Sequence, residues 1–125
     1  MLRACRRVLK PGGLISFLVI AVADGLPAEE IDRVLDVGPE HIGTGDGYPS
    51  LLQAAGFEGV DLVDVTDEYL ATQAAWIHEW DTESFDLEQL LGADEFAERQ
   101  SRRRRELATI RAGSMRRYLI SAVRP

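Results

Sequence analysis

The stretch Leu14 to Ala23 reads Leu-Ile-Ser-Phe-Leu-Val-Ile-Ala-Val-Ala and follows directly on a Pro11-Gly12-Gly13 turn. It is short, nearly continuous in apolar side chains and rich in β-branched ones, the pattern of a parallel strand covered on both faces. Such a strand is central and needs neighbours on either side. The run is about ten residues, too few to span a bilayer. Its place behind a turn, without a cleavage context, is not that of a secretory leader.

The flanking segments supply those neighbours. Leu2, Cys5, Val8 and Leu9 recur at helical spacing, so residues 1 to 9 read as a helix that Pro11 and the glycine pair stop. Pro27 opens a short helix with Ile31, Val34 and Leu35 on one face, ended by Gly38-Pro39. Residues 40 to 47 read as a loop. A helix over Tyr48 to Ala55 ends at Gly56, placed for the left-handed conformation, with Phe57 as its hydrophobic contact. Val60, Leu62, Val63 and Val65 mark a second strand. Asp67 is expected to cap a helix to about Trp80, and a single helix is expected over roughly Ser84 to Ala112. Gly113 ends it, and Arg117 to Val123 forms a third strand whose direction the pattern leaves open. Alternating strands and helices imply an α/β domain with a mainly parallel sheet.

The chain of 125 residues carries a net charge of −7, unevenly spread. Between Asp24 and Glu98 the only basic residue is Arg33, whereas both ends are basic. An acidic middle repels phosphate backbones, so no nucleic-acid role is expected. The run Arg102 to Arg105 wraps around a helix axis and reads as a solvated turn. The one cysteine, Cys5, has no internal disulfide partner, which suits a cytoplasmic setting. One cysteine and two distant histidines offer no metal-ligand spacing, and no membrane role is expected.

Three segments carry a family resemblance. Arg7-Val8-Leu9-Lys10-Pro11-Gly12-Gly13 before an apolar strand resembles the turn preceding strand five of class I S-adenosylmethionine-dependent methyltransferases. Leu51-Leu52-Gln53-Ala54-Ala55-Gly56-Phe57 is similar to the helix and turn before that family's strand six. Tyr118 to Pro125 looks like its closing strand seven. The resemblance implies a partial doubly wound, Rossmann-like sheet over residues 1 to 125, strands five to seven with flanking helices. It further implies a lid-like helical insertion of about residues 67 to 112 before the last strand. Strand seven would lie antiparallel between five and six, in a sheet three strands wide, leaving one edge of strand five without a partner.

The family's Gly-rich turn after strand one and acidic residue after strand two have no counterpart here. The chain is therefore expected to be a carboxyl-terminal half, with the other half encoded upstream of Met1. No residue of this chain is expected to bind the cofactor, S-adenosylmethionine. Gly43, Gly45 and Gly47 form a Gly-x-Gly-x-Gly string that no apolar strand feeds, so they read as a loop. The implied activity is methyl transfer to a small-molecule acceptor whose identity and acceptor atom stay open. The partner is the missing half, or a second copy pairing through the strand-five edge. Two alternatives remain: a non-catalytic half-domain that pairs with a partner chain through that edge, and a pseudoenzyme binding a small molecule under the aromatic helix.

Candidate site residues follow. Asp24, with Gly25, lies past the carboxyl end of strand five, where doubly wound sheets bind ligands. It reads as a group that orients or deprotonates the acceptor, or as a loop Asp capping the next turn. Tyr69, Trp76 and Trp80 fall at i, i+7 and i+11 and form either a lid over the acceptor or a stripe packed on the 84 to 112 helix. Tyr48 joins them as a candidate acceptor contact. His78 is a candidate general base or a surface histidine, and His41 carries the same two readings.

Overall fold

The computed structural model describes residues 1–39, 43–44 and 47–125. Helix α1 (Leu2–Val8) ends before a turn in which Gly12 takes φ 79° and the Gly13 amide donates to the Lys10 carbonyl at 2.8 Å. The turn feeds β1 (Leu14–Val22), the apolar run of the sequence. Helix α2 (Ala28–Val37) follows Pro27 and carries Glu29 and Glu30 in its first turn, where the helix dipole favours acidic groups. Then come β2 (Gly43–Thr44), α3 (Gly47–Ala54), β3 (Glu58–Asp64), α4 (Thr66–Thr82), α5 (Ser84–Leu91), α6 (Ala93–Arg111) and β4 (Met115–Val123).

The sheet order is β2-β1-β4-β3. The last strand, β4, inserts antiparallel between β1 and β3, pairing Leu14 with Val123 through Val22 with Met115 on one side. On the other side it pairs Leu62 with Ile120 and Asp64 with Tyr118, with an irregularity between Glu58 and Asp61 where Gly59 takes φ 59°. β1 and β3 therefore run the same way, and the direction that pattern left open is antiparallel.

Several expected boundaries move. The sheet has a fourth strand among the described residues, because β2 pairs parallel with Ala21 and Val22 at the carboxyl end of β1. Gly43 and Gly47 thus belong to a strand and a helix, while Gly45 and His41 lie outside the described residues. The expected single helix over 84 to 112 is broken at Gly92, whose φ of 85° no helical residue adopts. Asp67 does not cap α4. The acceptor is Asp64, whose carboxylate takes the Thr66 amide at 2.9 Å and also the Thr66 hydroxyl.

Alternation along the strands splits the core in two. One face packs Leu52, Phe57, Ile120 and Ala122 under α1 and α3, with Phe17 and Leu62 joining them. The other face packs Val22, Val34, Val37, Tyr69, Ile110 and Met115 under α2, α4 and α6. That second face is covered only toward the carboxyl end of β1. Farther back, Leu18, Leu119 and Val63 are register neighbours across three strands and remain 49%, 37% and 44% exposed, with Leu14 at 60%.

Burial works to raise the Asp64 carboxyl, but its two bonds with Thr66 and the Arg116 guanidinium at 3.1 Å outweigh it and hold the pKa below the usual carboxylate range. A lowered folded-state pKa contributes stability that is fully present above the unfolded value of about 3.9. That contribution is lost as pH falls through the folded value. Urea melts of Asp64→Asn are therefore expected to show a loss against the parent at pH 7 that shrinks below about pH 4. A loss independent of pH would mean that the carboxylate charge contributes nothing.

Candidate functional site

The carboxyl end of β1 is buried at Ala21 and Val22, and the chain leaves it through an exposed turn at Asp24 and Gly25, whose φ is 73°. The Ala23 amide donates to the Ser114 carbonyl at 2.9 Å, which ties this turn to the start of β4. Leu26 then packs back against the core cluster that holds Tyr69. Asp24 stands exposed at the end of the sheet where doubly wound folds place their ligands.

The aromatic stripe of α4 meets α6. Tyr69 is 4% exposed and donates its hydroxyl to the Glu106 carboxylate at 2.5 Å. Burial first, and then the hydrogen bond to and charge of Glu106, push its phenol far above the ordinary value, so it stays protonated through the neutral range. Trp80 stacks on Phe96 with ring centroids 5.8 Å apart and planes 11° from parallel. The Arg103 guanidinium lies 3.8 Å from the Trp80 ring centroid and 5.4 Å from that of Trp76. Arg117 of β4 lies 5.0 Å from the Tyr69 ring. The inner part of the stripe is thus packed on the long helix, whereas Trp76 is 54% exposed.

The other candidates lie apart from it. Tyr48 is half-buried on α3, on the opposite face of the sheet, with its ring 5.8 Å from Phe17 in an edge-on contact. It lines a cavity of about 450 Å³ together with Leu2, Arg3 and Leu51. His78 is exposed on α4, and its carbonyl accepts the Thr82 hydroxyl at 2.9 Å. Among the described residues no group of three His, Cys, Asp or Glu is placed to hold a metal ion, and no helix is long and apolar enough to cross a membrane.

Between β1, the end of α2 and α6 lies a cavity of about 290 Å³. Ile20, Val37 and Pro39 make its apolar side, and Arg99, Arg102, Arg103 and Glu106 its charged side. Desolvation, and then the neighbouring Arg99 charge, lower the Arg103 pKa. Arg103 Nη1 is buried with no hydrogen-bond partner among the described residues, as is Arg117 Nε. Along the sequence Arg102 and Arg103 are merely half of a run of four arginines, which hides this placement. The usable signal is spacing: Arg99, Arg102, Arg103 and Glu106 stand at i, i+3, i+4 and i+7, one flank of a helix whose buried positions are Phe96, Gln100 and Ile110.

Solved structures match this fold. A Haemonchus contortus phosphoethanolamine N-methyltransferase, in complex with phosphomonomethylethanolamine and S-adenosylhomocysteine, superposes with a TM-score of 0.86 at 14% identity. The match covers 99% of this chain and 29% of that one. A Galdieria sulphuraria protein described as a sarcosine dimethylglycine methyltransferase gives 0.84 at 20% identity, over 98% of this chain and 46% of that one. A Mycobacterium tuberculosis cyclopropane synthase gives 0.84 at 12% identity, over 98% and 48%. The chain therefore spans less than half the length of each of these structures. Neither a protein-family model nor a curated protein sequence matches it.

The Tyr69–Glu106 contact joins α4 to α6 from a buried ring. Tyr69→Phe is expected to cost about 1–2 kcal/mol, the range for a hydrogen bond to a charged group with its solvent-facing share discounted. Tyr69→Ala should cost about 3–5 kcal/mol, because it also leaves a cavity. Equal losses in urea denaturation would show that the ring contributes nothing beyond its hydroxyl.

Proposed function

We propose that this chain, which has the fold of the carboxyl-terminal part of an S-adenosylmethionine-dependent methyltransferase domain, is the acceptor-side half of such an enzyme. The carrying observation is the match of nearly the whole chain to 29–48% of methyltransferase-fold structures. In this reading Asp24 orients or deprotonates a small-molecule acceptor at the carboxyl end of β1. Trp76 and Trp80 form the edge of a lid over it, with His78 on the same helix.

The described residues do not fit the cofactor. The cavity near the carboxyl end of β1 is walled by three arginines, which disfavour a sulfonium. Among the described residues its one carboxylate, Glu106, is taken up by the Tyr69 hydroxyl, and no Gly-rich turn lines it. S-adenosylmethionine is accordingly the cofactor of a completed domain. What the complementary half would cover is the outer edge of β1, unpaired from Leu14 to Ile20 among the described residues, and the apolar row Leu18–Leu119–Val63. The same edge and row also support a second reading, a non-catalytic half-domain that pairs with a partner chain.

Calorimetric titration of the chain alone with S-adenosylmethionine is expected to give no saturable heat. Joined to a complementary half containing a strand and Gly-rich turn, the domain is expected to bind it and to transfer methyl groups. Saturable micromolar binding by the chain alone would overturn the assignment of the cofactor to the other half. A joined domain that binds cofactor but methylates nothing would favour the non-catalytic reading.

In the joined enzyme, Trp76→Ala and Trp80→Ala are expected to weaken acceptor use about tenfold while leaving cofactor affinity within about twofold, as loss of one aromatic contact implies. Parallel loss of cofactor affinity, stability and activity would mean that the stripe serves only as packing.

A further inference from the structure

We infer that the cavity between β1, the end of α2 and α6 is an oxyanion subsite, in which Arg102 and Arg103 bind a phosphate or carboxylate group of a small molecule against the apolar side chains of Ile20, Val37 and Pro39. As an account of the acceptor's chemical class it rests on the methyltransferase reading above; as a binding site it does not.

The charge balance of the cavity carries the inference. Among the described residues three guanidiniums face it and one carboxylate does, and that carboxylate, Glu106, already accepts the Tyr69 hydroxyl at 2.5 Å. Arg99 is held by Glu95 at 2.8 Å on the solvent side. Arg102 and Arg103 make no ion pair among the described residues, and Arg103 keeps one buried nitrogen with no acceptor. A buried cationic donor without an acceptor is costly, and an oxyanion supplies what is missing.

Neither aromatic stacking nor helix capping accounts for the arginines. Stacking on Trp80 and Trp76 occupies the face of the Arg103 guanidinium but leaves its buried in-plane Nη1 without an acceptor among the described residues. The last carbonyls of a helix can accept from a basic residue, yet among the described residues no hydrogen bond joins Arg102 or Arg103 to the end of α2. The aromatic stack holds the guanidinium in one orientation, which lowers the entropy lost when a forked contact forms. Ile20 stands two residues before the end of β1, so the subsite opens near the end of the sheet from which Asp24 projects.

The test is a titration of the full chain followed by tryptophan fluorescence, since Trp76 and Trp80 flank Arg103. Sodium phosphate and sodium acetate are compared with sodium chloride at constant ionic strength. A saturable change at one site per chain is expected with phosphate or acetate and not with chloride, and the tighter of the two identifies the source of the oxyanion. Arg102→Gln is expected to weaken binding about tenfold, the effect of one charged hydrogen-bonding contact. Arg103→Lys, which keeps the charge and loses the fork, should weaken it several-fold, and Arg111→Gln should leave it unchanged. Circular dichroism melts identify any variant that fails to fold, and Arg102→Gln, on an exposed side chain, carries the decision in that case. Absence of saturation with both oxyanions overturns the inference, as do equal losses for Arg102→Gln and Arg111→Gln. No cofactor enters this titration, so failure of methyl transfer in a joined domain and failure of the subsite are separate results.

Discussion

The antiparallel insertion of β4 between β1 and β3 is the constraint on which the remaining structure depends. Parallel strands cannot be joined by a tight turn, so β1 and β3 are linked through α2, β2 and α3, and in the sheet they are not neighbours. β4 fills the gap along its whole length, from Leu14 with Val123 to Val22 with Met115. The same strand pins both ends of the neighbouring turns. The Gly12 amide donates to the Arg124 carbonyl at 2.7 Å at one end, and the Ala23 amide to the Ser114 carbonyl at 2.9 Å at the other. Without β4 the two apolar faces would have no continuous surface on which to pack.

The register of that insertion also decides which residues can act together. Because side chains alternate, Tyr118 and Ile120 join the face under α1 and α3, while Arg117 and Met115 join the face under α2, α4 and α6. Arg117 thereby reaches the Tyr69 ring, and Ile20 opposite it contributes to the arginine-walled cavity. A slip of one residue would exchange the two sets, turning Arg117 toward α3 and taking Ile120 and Ala122 out of the first core. Tyr48 is kept away from the aromatic stripe by the same alternation, since it packs on Phe17, whose side chain points to the other face.

The helical segment between β3 and β4 does two jobs at once. Its buried positions Tyr69 and Ile110 close the second core, while Ile77 and Phe96 are buried outside that cluster, Phe96 against Trp80. Its flanks present Trp76 and the arginines toward solvent and cavity. The break at Gly92 lets α5 and α6 pack as separate helices, so α6 can lie against both α4 and α2. The acidic middle and basic end of the sequence meet in this region, where Asp81 accepts Arg104 at 2.7 Å and Glu106 accepts Tyr69.

Local patterns in the sequence determined the three longer strands and most helix ends, because those depend on near neighbours. The apolar run fixed β1 within a residue, Gly56 and Phe57 marked the end of α3, and the order of elements matched a known fold. The position of Asp24, exposed just past the end of β1, was legible for the same reason. Periodicity left the direction of β4 open, and the family resemblance supplied the antiparallel insertion that the structure shows. The tertiary structure alone decided the two-residue pairing of β2, the use of Asp64 rather than Asp67 at α4, and the break at Gly92. It also decided the placement of the arginines. Composition and run length describe a charge by its sequence neighbours, whereas Arg103 is set by Trp80, more than twenty positions earlier, and by a cavity that forms only once α6 rests against β1 and α2. Contacts between residues distant in sequence depend on how whole elements pack, and that information appears only when the sheet is assembled.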